Sequence, residues 1–282
     1  IFANGVPYRF GFLCPWLDVL GTEFDWMPGG TYTPPTEAQF CLWRSLAGAK
    51  PYLLLLNTDF NRFTPDLVEH YFQTCLAYGI FPSMFSANAA DSPYWQNAAW
   101  YERDRPLFRK YIPLIRQVAE AGWQPVTQAN FDAAGCVVER FGPTRDGALY
   151  LTILNGNAQA RTGRLKVDAD PAGPSGLATE LVTAQRLAWN DGSWIVSVPG
   201  QSTVAIRLEP GPRIADVRKL DGTRLQISVT TPIGLTQILE RSTDLAHWTP
   251  IATNTPPGPS FVFEASEAPE SDKAFLRLRW TR

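Results

Sequence analysis

Four leucines in a row, Leu53 to Leu56, end abruptly in Asn57, Thr58 and Asp59. This short apolar run with polar ends, YLLLLNTD, constrains the fold more than any other stretch. It reads as a strand buried on both faces, as in a parallel sheet. Parallel sheets alternating with helices meet their ligands at the carboxyl ends of the strands, which is where these polar residues fall.

The surrounding pattern supports that reading. Ile1 to Ala3 is expected to end a strand at Asn4-Gly5, and LGTEFDW (20–26) is a second strand ending in acids. Between them Tyr8 to Leu20 is apolar and ambiguous, with Pro15 permitting only a broken or short helix. MPGGTYTPP (27–35) is a loop. A helix then starts at Thr36 as N-cap and stops at Gly48. The YLLLLNTD strand follows, then a helix with Thr64 as cap, Pro65 in its first position and Gly79 as its stop. A strand over 80–85 and a helix from about Arg105 to Ala121 complete the series. Strand and helix alternating about four times demands parallel strands with crossover helices. An eight-fold barrel takes roughly 250 residues, so residues 1–127 amount to about half of one. A doubly wound sheet is the rival, although no Gly-rich phosphate loop follows any strand.

After Trp123 the pattern changes to short alternating strands separated by Gly, Pro, Asn and Asp, including ALYLTILN, SWIVSVP and STVAIRLE. That spacing predicts an antiparallel sandwich over 128–210. Glu209-Pro-Gly-Pro212 reads as a linker, and 213–282 repeats the style as a smaller β module. The expected fold class is therefore α/β plus all-β: a partial (β/α)8 barrel of about four units, an antiparallel β-sandwich and a smaller sandwich-like module.

Several motifs in this order, LGTEFDW, KPYLLLLNTDF, TPDLVEHYFQTCLAYGIFPSMFSANA, RDRPLFRKYIPLIRQVAEAGWQPVT and VVERFG…LYLTILN, resemble the C-terminal half of bacterial glycoside-hydrolase-like barrels. In that family a β-sandwich follows the barrel directly. The likeness covers roughly residues 1–210. The tail, with LERSTDLAHWTPIATNT and FLRLRW, resembles a small β module at the C-termini of large secreted bacterial proteins. The resemblance implies an oligosaccharide or polysaccharide partner and an extracellular or cell-surface location. It also implies that the first four barrel strands, with any catalytic group they carry, lie upstream. The chain opens on Ile1-Phe2-Ala3-Asn4 without Met or a charged leader, and is expected to be a piece of a longer one.

Glycoside hydrolysis uses two carboxylates flanking the bond. Glu23 and Asp25 alternate with Phe24, so period two places both acids on one face. They are the candidate catalytic pair, and the resemblance makes Glu23 the proton donor. Their bland alternative is a pair of solvated or capping acids. Asn57 and Asp59, with Asn4 and Asn88 on the outer strands, are candidate hydroxyl-binding residues. Each of them also suits a turn. Trp26, Tyr94 and Trp95 are candidate platforms for a sugar ring, against packing beneath a loop.

Composition excludes other classes. The net charge is −2 with no basic block, so nucleic acid is not an expected partner. No apolar run is long enough to span a membrane. The four cysteines are widely spaced and neither histidine has a partner at ligand spacing, so no metal or other cofactor is expected. His70 and His247 read as structural or surface residues, and Arg103, Arg105, Arg109, Lys110 and Arg116 as a solvated helix face. The second functional reading is a non-catalytic carbohydrate-binding or cell-surface protein with a degenerate barrel.

Overall fold

The structure, a computed structural model, describes residues 1–5, 10–87, 92–168, 174–220, 224–266 and 274–281. It is mixed and sheet-rich, with five sheets and few helices among these residues. The chain divides into two compact units, 1–168 with 178–208, and 169–177 with 209–282.

The first unit opens with β1 (Phe2–Asn4), a 3-10 turn over Gly11–Trp16, and β2 (Val19–Phe24). Pro15 sits inside that turn, which stays short and leaves Phe12 and Trp16 exposed. Helix α1 (Glu37–Ala47) begins in a capping box: Gln39 N–H donates to Thr36 Oγ1 at 3.3 Å and Thr36 N–H donates to Gln39 Oε1 at 2.8 Å. Next come β3 (Tyr52–Thr58) and α2 (Pro65–Tyr78), which ends at Gly79 with φ +59°. Strand β4 (Phe81–Ser86) leads to α3 (Ala98–Ala121).

β1 to β4 pair in sequential order and all parallel. Right-handed crossovers in that order send the helices to one face. There Leu20, Tyr52, Leu54 and Leu56 are buried with Phe40 and Trp43 of α1, Tyr71 and Phe72 of α2, and Ile115 of α3. The four-leucine run is therefore not buried on both sides, as its sequence suggested. Leu53, Leu55 and Asn57 are only half-buried, while their neighbours in the strand are fully enclosed. The second face also carries Phe2 and Phe85, which are 45% and 40% exposed. An apolar run reports hydrophobicity, and this strand spends half of it on an open face.

Helix α3 is longer than its sequence suggested. It starts at Ala98, with Asn97 Oδ1 accepting from Ala99 N–H at 3.1 Å, and it carries Pro106 and Pro113 inside. Strands β5 (Trp123–Gln124), β6 (Ala129–Phe131), β7 (Cys136–Phe141), β8 (Leu149–Asn155) and β9 (Arg161–Val167) follow. So do β10 (Pro174–Glu180), β11 (Gln185–Arg186), β12 (Trp189–Asn190), β13 (Ser193–Val198) and β14 (Thr203–Pro210). They form a six-stranded sheet, β11-β10-β14-β8-β7-β5, and a four-stranded sheet, β12-β13-β9-β6. One apolar core joins Leu151, Ile153 and Ile206 of the former to Leu165, Trp194 and Val196 of the latter.

The parallel layer and the antiparallel sheets meet along α2. Thr152 Oγ1 donates to the Ala77 carbonyl at 2.6 Å, Thr203 N–H to Gln73 Oε1 at 2.7 Å, and Thr203 Oγ1 to the Gln73 carbonyl at 2.7 Å. The boundary expected at residue 127 thus falls inside one packed unit.

In the second unit, β15 (Arg213–Lys219), β16 (Arg224–Thr230) and β19 (Ser260–Ser266) form one antiparallel sheet. β17 (Thr236–Ser242), β18 (Thr249–Asn254) and β20 (Phe275–Thr281) form another. Their small core is Ile227, Val229, Leu239 and Phe263. No helix of the described residues is long and apolar enough to cross a membrane.

Candidate functional site

Three adjacent parallel strands bring three of the expected residues together. Glu23 is the penultimate residue of β2, Asn4 ends β1, and Asn57 is the penultimate residue of β3. Period two turns all three to the open face. Asn57 Nδ2 donates to Glu23 Oε1 at 2.6 Å, and Asn4 Nδ2 donates to Glu23 Oε2 at 3.0 Å. Both carboxylate oxygens are therefore gripped by amides from the flanking strands. Asn57 Oδ1 is buried and accepts nothing among the described residues. The amide keeps its bond to Glu23 although its own acceptor goes unmet, which costs free energy.

The other expected acids do not join this cluster. Asp25 lies past the end of β2 and its Oδ1 accepts from Met27 N–H at 2.7 Å. Asp59 lies past the end of β3 and its Oδ1 accepts from Asn61 N–H at 2.9 Å. Both are closing turns.

Two of the expected ring platforms belong to the core. Trp26 is fully buried, edge-on to Tyr71 at 5.1 Å between centroids. Tyr94 is buried as well, with its hydroxyl donating to Asp104 Oδ2 at 2.9 Å. Arg103 clamps the same carboxylate from its Nε and Nη2 at 2.7 and 2.9 Å. Neither ring can face a sugar. The physical reason is local: Trp26 packs on Tyr71 of α2, and Tyr94 packs on Trp100 and bonds Asp104 of α3. Trp95 is 57% exposed and its ring is open to solvent. Asn88 lies outside the described residues.

Sequence reasoning passed over a cleft of about 740 Å³ between α2 and the antiparallel strands. Glu69, His70, Gln73 and Lys110 line one wall, and Arg186 and Ser197 the other. His70 thus lines a cleft instead of a plain surface. Glu69 accepts from Lys110 Nζ at 2.9 Å and from Tyr111 Oη at 2.6 Å. Burial opposes its ionisation, but those two donors outweigh burial and hold its carboxyl below the usual range. No local signal in the sequence reveals this cleft, because its walls come from segments far apart in the chain. Among the described residues no group of three or more His, Cys, Asp or Glu is placed to hold a metal ion.

No family model matches the chain, and no curated protein matches it. Solved structures similar to it in part are glycoside hydrolases. An Anoxybacillus α-amylase aligns over 74% of this chain and 52% of its own, with a TM-score of 0.44 and 9% identity. An α-amylase from Geobacillus thermoleovorans, complexed with acarbose, aligns over 56% and 39%, with a TM-score of 0.41 and 9% identity. A family 30 endoxylanase from Clostridium papyrosolvens aligns over 70% and 50%, with a TM-score of 0.35 and 12% identity. The chain spans about half the length of the solved structures it matches. Likeness at these scores carries no argument about its chemistry.

Proposed function

We propose that this chain is the C-terminal portion of a glycoside hydrolase, with Glu23 as one of the two carboxylates that cleave the glycosidic bond. In this reading β1 to β4 are half of a (β/α)8 barrel, the two antiparallel sheets are a β-sandwich, and residues 213–282 are a small β module. Its partner is an oligosaccharide or polysaccharide, met outside the cell or at its surface.

A single observation carries the reading: a carboxylate held by two amides at the carboxyl ends of three adjacent parallel strands. That is where ligands reach such sheets. In this reading Glu23 takes a different role from the proton donor expected of it. A proton donor would need a carboxyl O–H free to point at the leaving oxygen. Here each oxygen faces an amide N–H, so a proton on either would set donor against donor. Glu23 suits the accepting half of the reaction, attacking or stabilising the sugar carbon or taking a proton from water. Asp25 and Asp59 are engaged in turns, so the proton donor comes from outside these four strands. Asn57 and Asn4 orient Glu23, and Asp59 borders the rim.

Binding and turnover of a panel of oligosaccharides, measured side by side on the complete protein that contains this chain and on its Glu23→Gln variant, test this. The proposal expects turnover to fall by at least about 100-fold with binding kept, since removing an electrostatic partner of the transition state costs about that much. Unchanged turnover would remove Glu23 from the reaction. Binding without any turnover would favour the second reading, a non-catalytic carbohydrate-binding or cell-surface protein. One observation speaks for it: both neighbouring acids close turns, so the rim holds Glu23 without a second unengaged carboxylate among the described residues.

A further inference from the structure

Helix α3 places Tyr101, Arg105, Phe108 and Arg109 at intervals of four, three and one, which is a single stripe of its surface. Trp95, from the short turn Tyr94–Gln96 ahead of the helix, folds against this stripe. Its ring lies 5.3 Å from that of Phe108, centroid to centroid, at 56°. The five side chains line a shallow cleft of about 460 Å³. Ligand sites for small molecules run from about 300 to 1,000 Å³, so one or two sugar rings fit.

The cleft combines two surfaces open to a ligand, an exposed indole and a guanidinium unpaired among the described residues. The Trp95 ring is 57% exposed, unlike Tyr94 beside it, which is buried. The basic residues around α3 are otherwise paired: Arg103 with Asp104, Arg105 with Glu102, Lys110 with Glu69 and Arg116 with Glu120. Arg109 is exposed and makes no ion pair or hydrogen bond among the described residues. Arg105 leans over the Tyr101 ring at 5.7 Å, which fixes the adjoining wall.

A ligand that satisfies both surfaces needs a flat apolar face and a planar anion. A neutral sugar would cover the indole and leave Arg109 solvated. A free carboxylate or phosphate would meet Arg109 and leave the indole wet. We propose that the cleft between Trp95 and Arg109 binds a pyranose ring bearing a carboxylate, that is, a uronic acid unit of a polysaccharide. The ring's C–H face stacks on Trp95, and the carboxylate takes the Arg109 fork in two parallel hydrogen bonds. This site stands on its own residues and does not depend on Glu23.

Calorimetric titration of the chain with trigalacturonate tests it, with cellotriose as the uncharged comparator and acetate as the anion alone. Trigalacturonate is expected to bind at least tenfold more tightly than cellotriose, and more weakly as salt is raised. Trp95→Ala and Arg109→Gln are each expected to weaken it at least tenfold. Both side chains are exposed, and unchanged melting curves will show that the variants fold. Equal affinity for the two trisaccharides, equal competition by acetate, or full binding by Arg109→Gln would each overturn the proposal. Because binding is read directly, its failure leaves the Glu23 reading intact, and the reverse holds too.

Discussion

Replacing Gln73 by alanine probes the seam between the parallel layer and the antiparallel sheets. Gln73 lies mid-helix in α2 and is 8% exposed. Its side chain accepts the Thr203 N–H at 2.7 Å and donates to Tyr111 Oη at 2.6 Å. Tyr111 keeps Glu69 as a partner after truncation. The Thr203 N–H, in a residue 3% exposed, keeps none from the side chain it loses. An orphaned buried donor costs about 1–3 kcal/mol, and the lost bond to Tyr111 about 1 kcal/mol. The Gln73 carbonyl still accepts from Thr203 Oγ1, and alanine favours the helix slightly, so roughly 2–4 kcal/mol is expected. For a unit of this size each kcal/mol lowers Tm by about 2–4 °C, which gives a fall of roughly 4–16 °C. Thermal and urea unfolding followed by circular dichroism measure it. A loss below about 0.5 kcal/mol would mean that water already reaches the Thr203 N–H and the seam is not closed. Separate transitions for helix and sheet signals within the first unit would refute the single packed unit itself.

Two further predictions concern the same region. Glu139 is buried and accepts from Trp123 Nε1 at 2.6 Å, and burial raises its pKa despite that bond and the weaker one from Cys41. A carboxyl raised in the folded state stabilises the protein fully below the unfolded value, about 4.3, and loses that contribution as pH rises through the folded value. Glu139→Gln should therefore flatten the fall in stability from about pH 4 upward, as read by urea midpoints across pH; an unchanged slope would contradict it. Gly79 ends α2 at φ +59°, and a Cβ there would stand 2.6 Å from the ring of buried Phe141. Gly79→Ala should cost about 2–4 kcal/mol from left-handed backbone strain plus overpacking, and a melting curve matching the parent would rule that out.

Local chemistry made part of this fold legible. Thr36 and Gly48 bracket α1, and Pro65 and Gly79 bracket α2, because caps and stops depend only on neighbouring residues. The same holds for the parallel strands, whose polar ends put Asn4, Glu23 and Asn57 where the structure joins them. What depends on distant chain was not legible. The sequence reads a helix from about Arg105, yet α3 begins seven residues earlier at Ala98, where Asn97 caps it. Trp26 and Tyr94 look like loop aromatics, but contacts with Tyr71 of α2 and Asp104 of α3 bury them. Asp25 and Asp59 share a face with the site by spacing, and each is diverted by an N–H two residues ahead. Gln73 carries no signal at all, since its partner Thr203 is 130 residues away.

Helix α2 covers the parallel sheet and also floors the strand β8, and its residues Tyr71, Phe72, Gln73, Cys75, Leu76, Ala77 and Tyr78 are all enclosed. From Tyr71 to Tyr78 the helix is hemmed in from two directions and leaves little surface on which neutral changes can accumulate. Neither neighbour can then drift, be trimmed or be exchanged for a foreign module without the helix changing in step. Engineering that grafts other β domains onto these strands has to carry α2 with them.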